Sequence, residues 1–219
     1  MKLAISETKQ ELGQKAATTG AEIIRKVIKD KGHANVIVAT GASQFEMLAS
    51  FIKQPDVPWN KVTFFHLDEY IGLPITHGAS FRKYMWERFV SKLPLPPAAF
   101  HYVNGDGDSA AAAAECKRLG EIIKKHPIGL AFVGIGENRH LAFNDPPADF
   151  ATEEAYLVVN LDADCRKQQM GEGWFPTIND VPKQAISMSC KQIMKSKTII
   201  ASVPDERKAK AVQATVETP

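Results

Sequence analysis

Three short segments of the 219-residue chain hold the side chains whose types and spacing could carry out chemistry. They are a turn of small and hydroxyl-bearing residues at 40–43, a pair of adjacent acids within 66–70, and a glycine-rich run with a histidine at 134–147. Each segment follows a short apolar run, and in an open α/β sheet the loops after the strands carry the ligands. Together they suggest an anion-binding turn, a general base and an imidazole that moves protons.

The turn Thr40-Gly41-Ala42-Ser43 lies between an apolar run and a helical pattern. Small residues at a strand-to-helix turn let backbone N–H groups approach an anion, and the helix N-terminus adds partial positive charge. The hydroxyls of Thr40 and Ser43 can donate further hydrogen bonds, so these four residues are candidates for phosphate binding. The alternative is a tight turn with Ser43 as the helix N-cap. The chain has no GxxxxGK[ST] motif, which excludes a nucleotide-triphosphate loop.

Asp68 and Glu69 are adjacent acids that would elsewhere form a solvated turn, but here aromatic and aliphatic residues flank them on both sides. A carboxylate among apolar groups can have its pKa raised towards the range that is useful for a general base. Asp68 is therefore the candidate base. His66 would face the same side of the strand as Asp68, but no third ligand follows at a convincing spacing, and we predict no metal site.

The segment 134–147 has the sequence Gly-Ile-Gly-Glu-Asn-Arg-His-Leu-Ala-Phe-Asn-Asp-Pro-Pro and follows the most apolar of the predicted strands. Its His140 is of the side-chain type suited to moving a proton near neutral pH. Asp145 could orient the imidazole, as a carboxylate does in many acid–base pairs. From composition and spacing alone, a glycine-rich loop with a surface histidine explains the segment equally well.

Apolar runs of strand length alternate with helical patterns along the chain, and this alternation predicts the elements that position the three segments. Strands are expected at 36–39, 62–65, 130–133, 156–159, 185–188 and 198–202, and helices before Gly32, through 45–51, at 80–90 with Ser80 as cap, at 109–125 and from 205 onward. Such alternation favours a parallel, doubly wound sheet with helices on both faces. We therefore predict a doubly wound, mostly parallel α/β fold of the Rossmann-like type.

The composition excludes several classes of protein. The chain has 27 Lys+Arg against 25 Asp+Glu, a net charge of +2, which gives no compositional support for nucleic-acid binding. No apolar run approaches the roughly 18 residues of a membrane span, and the N-terminus turns polar too early for a signal peptide. The three cysteines are widely spaced without a CxxC pair, which suits a reducing compartment. We predict a soluble, cytoplasmic protein that binds neither nucleic acid nor membrane.

The three segments, in this order, resemble the glucosamine-6-phosphate deaminase (isomerase) family, which shares its fold with the 6-phosphogluconolactonases. The motifs are a TG[AGS]S-type turn at Thr40, a DEYxGL segment at Asp68 and a GIGxxxHxAFN[DE]P segment at 134–146. The resemblance covers nearly the whole chain, as far as the helix at Lys208. The lactonases usually have DER at the second motif and a Ser-Leu-Phe-Pro-like stretch after the histidine, so the tyrosine and the Ala-Phe-Asn-Asp found here favour the deaminases.

The resemblance implies an aldose–ketose isomerisation coupled to loss of ammonia, which converts glucosamine-6-phosphate to fructose-6-phosphate with neither a metal nor another cofactor. The family's base, which moves a proton between C2 and C1 of the sugar, falls on Asp68. The histidine that opens the pyranose ring falls on His140. The acidic residues that support this histidine fall on Asn138 and Asp145.

The resemblance also implies how the substrate is held. The phosphate-binding turn falls on residues 40–43, and a phosphate-binding lysine falls on Lys208. The family often has a phosphate-binding arginine just before the aromatic pair Trp174-Phe175, but this chain has none there. Arg166 is a candidate substitute, and a polar helix face is the alternative. The implied partner is a small phosphosugar, and because family members range from monomers to hexamers, a homo-oligomer is compatible with the sequence.

Three residues depart from the family pattern. Asn138 stands where well-known members have Asp, so it can orient a group but cannot share charge with His140. Asp145 replaces the usual Glu and is one methylene shorter. Arg139 stands where glycine is normal, and a positive φ there would cost on the order of 1 kcal/mol. Its side chain either contributes to phosphate recognition or marks a divergent or impaired site.

We predict one sugar-phosphate isomerase-like domain over residues 1–219. The chain stops at Thr218-Pro219, just past a helix, where relatives usually continue, and this is consistent with a missing C-terminal segment. Two other functions stay open. One is a 6-phosphogluconolactonase-like hydrolase in which His140 is the base for water. The other is a non-catalytic sugar-phosphate sensor, for which Asn138 and Arg139 are the arguments.

Overall fold

The structure, a computed structural model, describes residues 1–217, so Thr218-Pro219 lie outside the described residues. The strands in chain order are β1 (Ala34–Val38), β2 (Val62–His66), β3 (Asp68–Tyr70), β4 (Ala99–His101), β5 (Leu130–Val133), β6 (Tyr156–Asn160), β7 (Gln184–Met188) and β8 (Ile199–Ala201). The α-helices are α1 (Lys9–Lys31), α2 (Phe45–Phe51), α3 (Phe81–Arg88), α4 (Ser109–Ile123), α5 (Ala163–Gly171), α6 (Cys190–Met194) and α7 (Ala209–Glu217). Short 3-10 turns at Ala42–Gln44 and Glu206–Lys208 precede α2 and α7.

The main sheet has five parallel strands in the order β4-β2-β1-β5-β8. The strands on the two sides of β1 are reached by connections that run in opposite directions, so the sheet has a switch point between β1 and β5. The predicted doubly wound, mostly parallel α/β fold is confirmed. The near-continuous apolar runs of the central strands are typical of a parallel sheet that is covered on both faces.

Successive residues of β1 face opposite sides of the sheet and belong to two separate cores. Val36 and Val38 pack with the apolar faces of α1, α2 and α3. Ile37 and Ala39 pack on the other face with α4 and with side chains from β6 and β7. The period of two along the strand therefore fixes which helices cover which face.

A second sheet is antiparallel, with the order β3-β7-β6. The strands predicted at 156–159 and 185–188 are confirmed, but they lie in this second sheet and not in the parallel one. The chain turns back between β6 and β7, which gives an antiparallel pair in which Tyr156 is opposite Met188 and Asn160 is opposite Gln184. β3 begins two residues after β2 ends and joins this second sheet, with Asp68 opposite Ser187.

Local signals at the helix ends agree with the sequence. α1 ends at Gly32, which has φ +80° and donates its N–H to the carbonyl of Ile28. Ser80 caps α3 by accepting from the N–H of Lys83. Among residues 1–217, no helix combines the length and the apolar character needed to cross a membrane.

Candidate active site

An open cavity lies at the carboxyl edge of the parallel sheet, where four loops meet. Residues 40–43 come from the loop after β1, and Asp68 lies just beyond β2. Gly136 and His140 come from the loop after β5, and Lys208 follows β8. Because parallel strands all end at the same edge, residues far apart in the chain meet here, as expected from the sequence. The other lining residues are Ala39, Leu67, Phe81, Gly134, Ile135, Ala142, Phe143, Gln168, Gln169 and Glu172.

The turn after β1 lines the cavity with all four of its residues, 40–43. Gly41 has φ +95°, a backbone conformation that residues with a side chain rarely adopt. Its carbonyl accepts a hydrogen bond from the hydroxyl of Tyr84 at 3.0 Å. Ser43 lies inside the 3-10 turn and its Oγ accepts from Gln44, so it is not the helix N-cap. The first N–H groups of a helical segment have no intrahelical partner. The turn can therefore receive an anion without losing protein hydrogen bonds.

Asp68 is a buried acid at the floor of the cavity, with 5% of its surface exposed. Burial raises its pKa to about 8, the neighbouring charge of Glu69 adds to the rise, and the hydrogen bond from Thr40 opposes it. That bond joins Thr40 Oγ1 to Asp68 Oδ1 at 3.4 Å. A carboxyl with such a pKa is protonated over much of the neutral range and becomes a strong base once it ionises.

Glu69 has a different task, because its carboxylate anchors the start of α3. It accepts from Ser80 Oγ at 2.9 Å, from the N–H groups of Phe81 and Arg82, and from the guanidinium of Arg82 at 3.3 Å. The two adjacent acids thus divide into one that faces the cavity and one that holds the structure. Period-two alternation along β3 separates them.

His140 and Asp145 form an imidazole–carboxylate pair beside the cavity. Nδ1 of His140 lies 3.2 Å from Oδ1 of Asp145, an ion-pair distance, although the ring nitrogen is not aligned for a hydrogen bond. Burial opposes ionisation of Asp145, but the contacts with His140, Asn138 and the N–H of Asp162 outweigh it and lower the pKa of the carboxyl. Asp145 is therefore ionised at neutral pH and can stabilise a protonated imidazole.

Asn138 positions both members of that pair. Its Nδ2 donates to Asp145 Oδ1 at 3.0 Å and to Asp162 Oδ2 at 3.1 Å, and its Oδ1 accepts from the N–H of His140 at 3.1 Å. An amide can donate to two carboxylates and accept from an N–H at once, whereas a carboxylate could only accept. Asparagine at this position matches the neighbours that it has in this chain.

Gly136 has a steric reason to be glycine. A β-carbon there would overlap the ring of His140. The carbonyl of His140 accepts from the N–H of Gly136 at 2.9 Å, which closes the loop on the imidazole. The GIG motif therefore allows the histidine to pack tightly against the loop.

Lys208 is buried beside Glu172, a residue to which no motif in the sequence pointed. Lys208 Nζ lies 3.7 Å from Glu172 Oε1, and both side chains are more than nine-tenths buried. The only sequence signal for Glu172 was its place in the segment Glu172-Gly173-Trp174-Phe175.

The structure does not bring Arg139 or Arg166 to the cavity. Arg139 has φ +71°, the positive φ that the sequence analysis took into account for this position, and the residue is exposed to solvent. Arg166 points away, with its guanidinium donating to the carbonyls of Ile178 and Val181. This placement does not support their assignment as substrate-binding residues, because one side chain faces water and the other closes a loop.

A possible metal site among residues 1–217 is the group His140, Asp145 and Cys165, whose donor atoms lie within 4.8 Å of one another. Burial and the neighbouring acids raise the pKa of the Cys165 thiol, which disfavours the thiolate that a metal would need. His66 does not line the cavity, and burial lowers its pKa to about 3. The absence of a metal in this site stays a prediction.

The fold and the cavity together define a class of protein. At one edge, a doubly wound α/β sheet carries a buried acid, an imidazole–carboxylate pair and a turn that can bind an anion. These groups are suited to proton transfer on a small anionic molecule. The chain belongs to the family of glucosamine-6-phosphate isomerases and 6-phosphogluconolactonases, whose family model matches residues 7–219. The resemblance predicted from the motifs is confirmed.

Individual relatives agree with this assignment. A glucosamine-6-phosphate deaminase of Oenococcus oeni is 35% identical over 219 residues, which cover 100% of this chain and 87% of the relative. The solved structure of a monomeric glucosamine-6-phosphate deaminase matches with a TM-score of 0.89 at 30% identity, over 100% of this chain and 88% of that one. The 6-phosphogluconolactonase of Thermotoga maritima matches with a TM-score of 0.74 at 16% identity, over 95% of this chain and 87% of that one, and so shares the fold.

Proposed function

We propose that this protein is a glucosamine-6-phosphate deaminase that converts glucosamine-6-phosphate and water to fructose-6-phosphate and ammonia. The observation that carries the proposal is the placement of Asp68. A buried carboxyl with a pKa of about 8 shares one cavity with the His140–Asp145 pair and with Lys208. The full-length similarity to deaminases supports the same substrate.

Ring opening is the task of His140. The step takes a proton from the anomeric hydroxyl and delivers one to the ring oxygen, and one imidazole can do both in turn. Asp145 is ionised at neutral pH and stabilises the imidazolium that forms between the two transfers. Asn138 keeps the pair in place through its hydrogen bonds to both residues.

Isomerisation and loss of ammonia follow in the open-chain sugar. Ionised Asp68 removes the proton from C2, and the C–H electron pair forms a double bond between C1 and C2. The aldehyde oxygen at C1 takes up a proton from water, which gives an enolamine. Protonation at C1 by the same carboxyl leaves an imine at C2, and water adds there and expels ammonia to leave the ketone. Each step is a proton transfer or the addition of water, so we propose that the reaction needs no metal.

The turn at 40–43 and Lys208 are proposed to hold the phosphate. The turn and the lysine line the same cavity, and the turn can offer backbone N–H groups and hydroxyls to the phosphate. Binding energy from this distant group can position C1 and C2 over Asp68, which is how a non-reacting part of a substrate contributes to the rate.

The test is an assay of the purified chain with glucosamine-6-phosphate in which ammonia and fructose-6-phosphate are measured together, with and without EDTA. We expect equal amounts of both products and no loss of activity in EDTA. Hydrolysis of 6-phosphogluconolactone without ammonia release would select a lactonase instead. Tight binding of the phosphosugar without turnover would select a sensor.

The pH dependence of kcat/KM provides a sharper test of Asp68 as the base. Because only ionised Asp68 can accept the C2 proton, kcat/KM should rise about tenfold per pH unit and level off near pH 8. Thr40→Val removes the hydrogen bond that lowers the pKa of Asp68, so the rising limb should move to higher pH. If the inflection of the kcat/KM profile came from the substrate amine, Thr40→Val would not move it. A rising limb at the same pH in both chains would therefore count against Asp68 as the base.

A further inference from the structure

Lys208 and Glu172 face each other in the cavity as a buried ion pair. The 3.7 Å between Nζ and Oε1 joins side chains that are 8% and 4% exposed. Among the described residues that line the cavity, Lys208 is the only lysine or arginine. The cation that an anionic ligand would meet is therefore already paired with a carboxylate of this chain.

Glu172 is held in this position on both of its oxygens. Gln168 Nε2 donates to Oε1 at 2.9 Å, and Trp174 Nε1 donates to Oε2 at 3.1 Å. The indole of Trp174 in turn packs edge-on against Phe45 and Tyr84, with ring centroids 6.2 Å apart in each case. The carboxylate can turn away from Lys208 only by breaking these hydrogen bonds, which favours its present position.

A phosphate that reaches Lys208 must therefore lie beside a fixed carboxylate. Like charges a few ångströms apart in a partly desolvated cavity repel each other strongly. We propose that Glu172 is a specificity-determining residue that competes with an incoming phosphate for Lys208 and weakens the binding of phosphosugars. The inference rests on the proposed function only in taking a phosphosugar as the ligand.

The same charge arrangement says which part of the substrate supplies the affinity. With Lys208 paired to Glu172, the turn at 40–43 can add hydrogen-bond donors for the phosphate but no full positive charge. The phosphate group should then add less affinity than it would beside an unpaired lysine. In the unmodified chain, we expect glucosamine-6-phosphate to bind no more than about tenfold more tightly than glucosamine.

Calorimetric titration with inorganic phosphate and with glucosamine-6-phosphate tests this directly when every chain compared also carries Asp68→Asn, so that the sugar binds without being consumed. Glu172→Gln keeps the size and the hydrogen-bonding shape of the side chain and removes its charge. We expect its Kd for both probes to fall at least about tenfold relative to the chain that keeps Glu172. Glu121→Gln, on the exposed face of α4, makes the same change in net charge away from the cavity and should leave both values within about twofold.

The outcomes separate this inference from the proposed function. Tighter phosphate binding by Glu172→Gln, together with no ammonia release by the chain with Asp68 intact, would support the inference and refute the deaminase. Ammonia release by the chain, together with an unchanged or higher Kd in Glu172→Gln, would support the deaminase and refute the inference about Glu172. If Glu172→Gln does not fold, the unmodified chain decides, since a preference of more than about a hundredfold for glucosamine-6-phosphate over glucosamine would overturn the inference.

Discussion

Replacing Asp68 by asparagine should stabilise the protein while it abolishes turnover. The pKa of the Asp68 carboxyl is about 8 in the folded chain against an ordinary value of 3.8, and burial is the main cause. Between these two values the unfolded chain is ionised at Asp68 and the folded chain is not. Folding then takes up a proton, so the free energy of unfolding falls as pH rises through this window.

The size of the effect follows from the width of the window. Each pH unit between about 4 and 8 costs about 1.4 kcal/mol, so the penalty reaches roughly 4 kcal/mol at pH 7 and roughly 6 kcal/mol above pH 8. An amide at this position can still accept the hydrogen bond from Thr40 but has no proton to take up. The stability difference between Asp68→Asn and the unmodified chain should therefore grow with pH and level off near pH 8.

Urea unfolding at pH 5, 6, 7, 8 and 9 measures this difference, and Asp30→Asn is the control because it removes an exposed acid at the end of α1. The control should show a small difference with little dependence on pH. Turnover by Asp68→Asn should fall at least about a hundredfold. A stability difference for Asp68→Asn that does not change with pH would refute the reasoning, because Asp68 would then be ionised in the folded protein at neutral pH.

Two further predictions concern the loop after β5. Gly136→Ala places a methyl group where the ring of His140 lies, so kcat should fall by about a hundredfold. The control is Gly171→Ala, whose added methyl group meets no atom within 4 Å and which should keep its activity. Equal kcat values for the two variants would contradict the role given to Gly136. Asn138→Asp replaces the donor that lies 3.0 Å from Asp145 by a second carboxylate, so urea unfolding at pH 7 should show a loss of about 1–3 kcal/mol. That loss should shrink towards pH 4 as the new carboxyl takes up a proton, and a variant as stable as the unmodified chain would show that Asn138 does not hold the pair.

The raised pKa of Asp68 shows how the fold gives up stability for chemistry. Burial and the adjacent charge of Glu69 both act against ionisation of Asp68. Glu69 is fixed by the start of α3 and cannot move away. The fold thus holds a carboxyl in a place where its ionised form is unfavourable, and that condition makes it a strong base.

Short-range patterns in the sequence were sufficient to predict the main sheet. Runs of buried β-branched and aromatic residues that alternate with helical patterns can satisfy their backbone and bury both faces only in a covered parallel sheet. Cap signals such as Gly32 and Ser80 act within one turn of the chain, and both are where they were expected. Since parallel strands end at one edge, the convergence of Thr40, Asp68 and His140 also followed from the sequence.

The partners of individual side chains were decided only by the tertiary structure. β6 and β7 have the same apolar character as the strands of the main sheet, and only the path of the chain between them makes them antiparallel. Arg166 and Lys208 are both cations near the predicted site, yet one donates to loop carbonyls and the other faces Glu172. A sequence pattern records whether a residue is buried and on which face, because these depend on near neighbours. The charged groups that a side chain contacts belong to residues far away in the chain, which only the folded structure brings together.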